Sequence, residues 1–246
     1  VATVGGTSAL RQILEMVRTL TPDARVWVSD PSWPIHAGMT DHLGLSRRSY
    51  RYLDRDNNGL DRDGMMEDLR AAHAGDIIVL HGCCHNPTGA DLSLADWAEV
   101  AAICLQTGAI PLVDMAYQGF GVGLEEDAAG LRLLAQRMPT LFLAASCSKN
   151  FGLYRERAGV ALVATSQGAP RDAAQGHLTA MNRNNFSFPP DHGARAVDTI
   201  LHDDALRQMW DAELTGMRES MTTNRRALAD ALRAETGSDH FGFIGA

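Results

Sequence analysis

The sequence predicts an α/β fold with a mostly parallel sheet of about seven strands and connecting helices. Apolar runs of strand length alternate with helical patterns along most of the chain. The helical segments are long enough to serve as crossovers between parallel strands. Polar residues follow directly after several apolar runs. Because the carboxyl ends of parallel strands share one edge of a sheet, we expect these polar residues to meet there.

The individual elements are predicted from apolar periodicity and from stop signals. Strands are expected at residues 2–4, 26–29, 49–53, 77–80, 110–113, 141–145 and 159–164. Helices are expected at residues 10–20, 62–73, 93–105, 130–138 and 203–233. The third strand has the alternation of an exposed or edge strand, and a turn is predicted at residues 57–59. Ser93 and Asp96 are spaced as a capping box.

Composition indicates a globular protein and excludes some partners. The chain has 246 residues, of which 45% are apolar, and its net charge is −8. An acidic chain is not expected to have nucleic acid as its main partner, and no apolar run is long enough to cross a membrane. The first segment also lacks the pattern of a secretory signal. Four cysteines do not make a disulfide framework at this length, so we expect reduced thiols and a cytoplasmic location.

Two histidines and two cysteines lie together in the run from His81 to His85. This spacing is poor for tetrahedral zinc, whose ligands usually come in pairs about two to four residues apart. No second pair follows in the sequence. We therefore expect no metal site.

Lys149 is the only lysine in the chain, and every other member of the Lys+Arg count of 22 is arginine. Arginine serves wherever a solvated positive charge is enough, but it cannot lose a proton and form a Schiff base. Lys149 also follows the apolar run at residues 141–145, and ligands bind at such strand ends in open α/β sheets. We interpret its amine as a reactive group, although a compositional bias toward arginine would leave the same single lysine.

Other polar residues at strand ends each allow a functional and a structural interpretation. Gly5-Gly6-Thr7 at a helix start suits a phosphate group, or is a tight turn with an N-cap threonine. Asp114 directly after a buried strand suits a metal or a protonated ring nitrogen, or caps a loop. Tyr117 either donates a hydrogen bond or only packs.

A further group of residues also allows more than one interpretation when each residue is considered alone. Trp33 either stacks on a flat ring or fills the core, and His36 either pairs with a carboxylate or has no special role. Arg157 either clamps a phosphate or pairs with Glu156. Arg183, predicted in a polar loop, suits a carboxylate. A phosphate cradle, a stacking tryptophan, an aspartate for a ring nitrogen and a unique lysine together indicate pyridoxal phosphate.

These residues lie in segments that resemble the class I aminotransferases, in the aspartate and aromatic aminotransferase branch of the fold-type-I pyridoxal phosphate enzymes. The matching segments occur in the family's order at residues 5–10, 26–34, 81–89, 114–120, 123–127 and 146–157. His-Gly-Cys-Cys-His-Asn-Pro-Thr-Gly at residues 81–89 is highly specific by itself. The resemblance implies a three-layer α/β/α domain that binds pyridoxal phosphate. It also implies ping-pong exchange between aspartate or an aromatic amino acid and 2-oxoglutarate.

The resemblance implies catalytic roles for three residues. Lys149 would bind the cofactor covalently and move the substrate proton. Asp114 would keep the ring nitrogen protonated, with His36 supporting it from behind. Tyr117 would hydrogen-bond the ring oxygen together with Asn86.

Cofactor and substrate contacts are implied in the same way. The residues around the phosphate would be Gly6, Thr7, Ser146, Ser148 and Arg157. Trp33 would stack on the ring, and both Trp33 and Asn86 would contact the substrate. Arg183 would reach the site of a neighbouring subunit and bind the side-chain carboxylate of an acidic substrate. Phe188, at a position usually polar in the family, favours aromatic substrates.

The resemblance also implies a homodimer and a domain division. Residues 1–202 would form the large cofactor domain, 203–235 a long connecting helix and 236–246 the start of a small domain. The family's amino-terminal arm and the arginine that binds the substrate α-carboxylate have no counterpart in this sequence. Two other hypotheses are a truncated relative that binds the cofactor with little turnover, and a non-catalytic dimerising scaffold.

Overall fold

The computed structural model describes residues 1–165 and 168–245, in which helices and strands alternate. Its strands are β1 (Ala2–Val4), β2 (Arg25–Asp30), β3 (Ser46–Arg51), β4 (Leu53–Asp54), β5 (Gly59–Leu60), β6 (Ile77–His81), β7 (Ile110–Met115), β8 (Thr140–Ser146) and β9 (Ala158–Thr165). Its helices are α1 (Gly5–Leu20), α2 (Pro34–His42), α3 (Arg62–Leu69), α4 (Leu94–Thr107), α5 (Leu124–Asp127), α6 (Ala129–Arg137), α7 (Gly168–Asn185), α8 (His192–His202) and α9 (Asp204–Thr236). A 3₁₀ segment, Asp239–Ile244, follows α9.

Seven of the described strands form one sheet in the order β1-β9-β8-β7-β6-β2-β3. The strands from β8 to β3 are parallel to one another, whereas β9 is antiparallel to both β8 and β1. β3 lies at one edge, as its alternation predicts. The short β4 and β5 pair with each other across the predicted turn. The mostly parallel seven-stranded sheet predicted from the sequence is therefore confirmed.

Helices cover both faces of the sheet because successive strand side chains point to opposite faces. Ile78 and Leu80 of β6 belong to a core shared with α3, α4 and α6. Ile77 and Val79 of the same strand belong to a second core shared with α1 and α7. This arrangement is the three-layer α/β/α architecture that the resemblance implies.

Helix α7 is not predicted by the apolar pattern, and the polar loop predicted around Arg183 is wrong. Arg183 lies in the last turn of this helix. Leu178 is buried in the core that α7 shares with α1. Asn182 donates from Nδ2 to the carbonyl of Ala2 at 3.0 Å and accepts a hydrogen bond from Gln12. These tertiary contacts stabilise a helix whose own apolar periodicity is weak.

The ends of two other helices test the sequence signals further. Ser93 Oγ accepts from the backbone N–H of Asp96 at 3.2 Å, and the Asp96 carboxylate accepts from Ser93 N at 2.9 Å, so the predicted capping box is present. Helix α9, at Asp204–Thr236, begins one residue after its predicted start at residue 203 and ends three residues after its predicted end at residue 233.

The division into domains stays a prediction, and Ala246 lies outside the described residues. No described helix has both the length and the apolarity to cross a bilayer.

Asp76 joins three segments at the amino-terminal edge of the parallel strands. Its carboxylate accepts from Arg25 Nε at 2.8 Å, from Trp27 Nε1 at 2.9 Å and from His73 N at 2.9 Å. Burial alone would raise the pKa of Asp76, but the hydrogen bonds from Arg25, Trp27 and His73 lower it overall. The carboxylate therefore stays ionised and ties β2 to the start of β6.

We expect Asp76→Ala to lower the free energy of unfolding by about 3 kcal/mol, because it leaves buried donors unpaired. Asp76→Asn gives a test by pH. The folded-state pKa lies below the unfolded value of about 3.9, so the ionised carboxylate stabilises the fold above that pH. This contribution is lost as the pH falls through the folded-state pKa. The difference in the free energy of unfolding between wild type and Asp76→Asn therefore narrows over that pH range.

Urea unfolding at a series of pH values measures both effects. Glu235→Gln is the matched control, because Glu235 is exposed near the end of α9. A difference between wild type and Asp76→Asn that stays constant from neutral pH to below pH ~4 would show that the ionised carboxylate contributes nothing.

Candidate active site

One cavity at the carboxyl edge of the sheet contains most of the residues singled out from the sequence. Its volume is about 180 Å³. The predicted residues that line it are Gly6, Thr7, Trp33, Asn86, Asp114, Tyr117, Ser146, Ser148, Lys149 and Arg157. His36 lies behind Asp114, and Arg183 does not line this cavity of its own chain. The structure thus brings together residues from five separate segments of the sequence.

Asp114 and His36 form a buried pair at the inner end of this cavity. Asp114 is 8% exposed and His36 is 2% exposed, and His36 Nε2 lies 2.8 Å from Asp114 Oδ2. Asp114 lies near the end of β7, whereas His36 lies in the first turn of α2, which begins at Pro34. A buried carboxylate needs a hydrogen-bond donor, and His36 supplies one.

The hydrogen-bonded chain continues from His36 to a second histidine. Ser32 Oγ lies 3.0 Å from His36 Nδ1 and 3.2 Å from His81 Nε2. Burial and the neighbouring His36 lower the pKa of His81 to about 4, against the opposing effect of Asp114. His81 is therefore neutral near pH 7. It lines the cavity, and its position at the end of β6 is the sequence signal for it.

The start of α1 forms one wall of the cavity. No side chain caps this helix, and its first turn has no acidic residue, so the positive end of the helix dipole is not neutralised there. Thr7 is the third residue of the helix and Val4 is the N-cap residue, so the interpretation of Thr7 as an N-cap is wrong. Gly6 and Thr7 both line the cavity.

Arg157 and the glycines of α1 pack too closely for larger side chains. A Cβ atom on Gly5 would lie 2.4 Å from Arg157 Nη2, and one on Gly6 would lie 3.1 Å from Ser146 Cβ. The φ angle of Gly5 is +72°, which also favours glycine. Arg157 Nη1 donates to the carbonyl of Tyr154 at 2.7 Å. The guanidinium is thus held beside the helix start, and together they suit an anion such as phosphate.

Arg157 forms no ion pair with Glu156 among the described residues, so the structural alternative considered for Arg157 is not supported. Its guanidinium lies against the start of α1, where its charge adds to the helix dipole. The positive end of the α1 dipole and the Arg157 guanidinium lie side by side without a carboxylate partner, which indicates a binding site for an anion.

Lys149 lies three residues beyond the end of β8 and lines the same cavity as Asp114. Its Nζ is 4.7 Å from the centre of the Tyr117 ring. Within the described part of the chain, this amine has neither a hydrogen bond nor an ion pair. The amine is therefore available for a ligand.

Tyr117 and Asn86 lie next to each other on the cavity wall. Burial raises the pKa of Tyr117, and Asp114 raises it further, whereas a side-chain hydrogen bond with Asn86 acts in the opposite direction. Tyr117 therefore carries its proton at neutral pH, so its hydroxyl is able to donate a hydrogen bond. Trp33 lines the cavity too, and its ring meets that of His36 edge-on at 5.4 Å.

Arg183 lies apart from this cavity. Its Nη1 donates to Ser187 Oγ at 3.1 Å, and its guanidinium carbon lies 5.3 Å from the centre of the Phe188 ring. Phe188 is 73% exposed. Any contact of Arg183 with a substrate would therefore be outside the cavity of its own chain.

The side chains of His85 and Cys83, in the run considered above as a metal site, contact protein groups instead. Both ring nitrogens of His85 lie within hydrogen-bond distance of hydroxyl groups, and Cys83 Sγ lies 3.8 Å from Met115 Sδ. Residues 1–165 and 168–245 contain no group of three or more His, Cys, Asp or Glu side chains arranged to hold a metal.

Four residues of the cavity wall are absent from the predicted set: His81, Cys83, Ala116 and Tyr154. Tyr154 precedes Arg157 by three residues, and Ala116 lies between Asp114 and Tyr117, so proximity to predicted residues is the available signal. The whole wall combines an amine, a buried carboxylate, a phenol, a side-chain amide and a helix start beside an arginine. That set matches the functional groups of pyridoxal phosphate.

Comparison with known proteins agrees with this geometry. Residues 1–244 match the family model for class I and II aminotransferases. The chain is 55% identical over 243 residues to an aromatic-amino-acid aminotransferase of Paracoccus denitrificans, over 99% of this chain and 62% of the relative. It is 45% identical over 242 residues to an aspartate aminotransferase of Escherichia coli (strain K12), over 98% of this chain and 61% of the relative.

A solved structure extends the likeness to three dimensions. The aromatic-amino-acid aminotransferase of Burkholderia pseudomallei, covalently bound to pyridoxal phosphate, has a TM-score of 0.97 and 39% identity. The superposition covers 100% of this chain and 61% of that one. This chain therefore spans about three fifths of the length of its relatives. By sequence and by fold, it belongs to the class I branch of the class I and II aminotransferase family.

Proposed function

We propose that this chain binds pyridoxal phosphate through Lys149 and forms the cofactor-binding part of an aminotransferase. The observation that carries the proposal is the cavity in which the only lysine meets the buried carboxylate of Asp114. The bound cofactor supplies an aldehyde that accepts an amine and a ring that withdraws electrons from the substrate Cα.

Asp114 is proposed to hold a proton on the ring nitrogen. An ionised carboxylate beside a ring nitrogen favours the protonated ring. His36 Nε2 lies 2.8 Å from Asp114 Oδ2 and supplies this buried carboxyl group with a hydrogen-bond partner. Ser32 in turn fixes the orientation of the His36 ring.

The start of α1 and Arg157 are proposed to bind the phosphate group. The helix end supplies backbone N–H groups, and Thr7 and the serines Ser146 and Ser148 add hydroxyl groups on the same wall. Because Gly5 and Gly6 have no Cβ atom, Arg157 and Ser146 pack closely against the start of α1, beside the proposed phosphate site.

Lys149 has a second proposed role as the base. As a free amine, Nζ would take the proton from the substrate Cα and would return a proton to the product. Its position over the Tyr117 ring keeps the free amine beside the reacting atoms. Tyr117 and Asn86 are proposed to donate to the ring oxygen, and Trp33 to stack on the ring.

The substrates are proposed to be an amino acid, aspartate or aromatic, and 2-oxoglutarate, which exchange an amino group by a ping-pong mechanism. The family membership and the names of the relatives support transamination. Trp33 and Asn86 are proposed to contact the substrate. Arg183 is proposed to bind an acidic side chain in the cavity of a second subunit of a homodimer, because its guanidinium is exposed and outside its own cavity.

A cytoplasmic location is also proposed. All four cysteines are free thiols, which is the usual state in a reducing compartment.

Lys149→Ala is expected to abolish the visible absorption that the chain acquires from pyridoxal phosphate, because no other lysine can replace the amine. Borohydride reduction of the wild type, followed by peptide mass spectrometry, locates the bound cofactor. The matched variant Lys149→Arg keeps the positive charge but also stays colourless. Cofactor mass on any other residue of the wild type would contradict the proposal.

Arg157→Gln is expected to weaken binding of pyridoxal phosphate by about 10- to 100-fold, the scale of one lost charge-assisted hydrogen bond. Binding of pyridoxal, which has no phosphate, is expected to change little. Titrations followed by visible absorption measure both affinities. Arg155→Gln is the control, since Arg155 is exposed and does not line the cavity. Equal losses for both ligands in Arg157→Gln would place the phosphate elsewhere.

Asp114→Asn is expected to leave the cofactor attached to Lys149 but to slow its reaction with an added amino acid by at least about 100-fold. The neutral amide cannot hold the ring nitrogen in its protonated form. Stopped-flow absorption of the first half-reaction measures the rate. Asp114→Glu keeps the negative charge and should recover part of the wild-type rate. Equal rates in Asp114→Asn and wild type would show that Asp114 takes no part in the chemistry.

A further inference from the structure

A buried histidine outside the proposed set of site residues holds the loop that carries Asn86. His85 is 2% exposed. Its Nε2 lies 3.0 Å from Ser29 Oγ, and its Nδ1 lies 2.8 Å from Thr88 Oγ1. The ring also stacks on Tyr52, with 3.8 Å between ring centres and 14° between planes. Contacts at both edges and on one face therefore fix the ring.

These contacts connect the two segments that border the cavity. Ser29 lies near the end of β2, which leads to Trp33, and Thr88 follows Asn86 by two residues. His85 immediately precedes Asn86. The imidazole thus joins the end of a core strand to the chain on both sides of Asn86.

The backbone of the same loop has little freedom. The Asp91 carboxylate accepts from Cys84 N at 2.7 Å and from His85 N at 2.8 Å. Gly89 N donates to the carbonyl of His85 at 2.7 Å. With the backbone held in this way, the imidazole contacts decide how the loop sits against β2.

His85 keeps one protonation state across the physiological range. Burial is the main cause that lowers its pKa to about 2, and the neighbouring His81 and His36 contribute to the same shift. A neutral imidazole has one donor and one acceptor nitrogen, so it donates a hydrogen bond to one hydroxyl group and accepts one from the other. Protonation therefore does not disturb the two contacts near neutral pH.

We propose that His85 is a positioning residue that holds Asn86 against Tyr117 and so sets the hydrogen bonds to the ring oxygen of bound pyridoxal phosphate. This inference rests on the proposed function. Asn86 and Tyr117 line the same cavity, and Asn86 lies close enough to Tyr117 to lower its pKa against the effect of burial. His85 itself does not line the cavity, so it acts through Asn86.

The test is the pH midpoint at which the visible absorption of the holoprotein changes. Donors to an ionised oxygen favour the deprotonated form, so a misplaced Asn86 raises this midpoint. His85→Phe keeps a ring to stack on Tyr52 but removes both nitrogen contacts. We expect its midpoint to rise by about one pH unit, the scale of one weakened charge-assisted hydrogen bond.

Two conservative variants separate the contacts and serve if His85→Phe does not fold. His85→Asn places a polar atom near the Nδ1 position and retains the contact with Thr88. His85→Gln places one near the Nε2 position and retains the contact with Ser29. Each is expected to show a smaller shift than His85→Phe.

Asn86→Ala provides the background that distinguishes positioning from general destabilisation. With the Asn86 side chain removed, His85→Phe is expected to add no further shift, because it acts only through that side chain. An equal shift in both backgrounds would overturn the inference. An unshifted midpoint in a coloured His85→Phe variant would overturn it as well, whatever the change in thermal stability.

The wild type distinguishes this inference from the proposed function. If the wild-type chain acquires no visible absorption with pyridoxal phosphate, the proposed function fails, and the inference about His85 fails with it. If the wild type is coloured and the variants at position 85 titrate as it does, only the role of His85 fails.

Discussion

The candidate site depends on one constraint, which is that parallel strands end at a common edge of their sheet. β2, β6, β7 and β8 run in the same direction, so their carboxyl ends bring together Trp33, Asn86, Asp114 and Lys149, each of which lies at or beyond the end of a different strand. Antiparallel β9 adds to this edge from the other direction, because Arg157 immediately precedes it. The apolar cores beneath these strands fix the positions of the polar groups above them.

The pair formed by Asp114 and His36 shows how a charge is kept in this setting. A carboxylate that is 8% exposed would be costly without a partner, and His36 provides a donor from a helix 78 residues earlier in the chain. Ser32 and the neutral His81 continue the chain of hydrogen bonds. The carboxylate is therefore oriented toward the cavity by contacts made on its opposite side.

The two edges of the sheet have different tasks. At the amino-terminal edge, Asp76 satisfies donors from β2 and from the loop before β6, and its partners are all structural. At the carboxyl edge, Lys149 Nζ has no hydrogen bond or ion pair among the described residues, and Arg157 has no carboxylate partner there. Unpaired positive groups are costly to keep together unless an anionic ligand binds, so their location marks the functional edge.

The sequence by itself determined the sheet, the apolar face of α1 and the capping box of α4, because these follow from local periodicity and local hydrogen bonds. Residue chemistry alone singled out Lys149 as a candidate. It did not determine helix α7, whose stability comes from Leu178 and Asn182 packing against α1. Nor did it show the contacts of His81 with Ser32 and of His85 with Ser29, because these partners lie some 50 residues apart in the chain. Only the tertiary structure decides contacts between segments that are distant in the chain, since local pattern contains no information about which distant groups will meet.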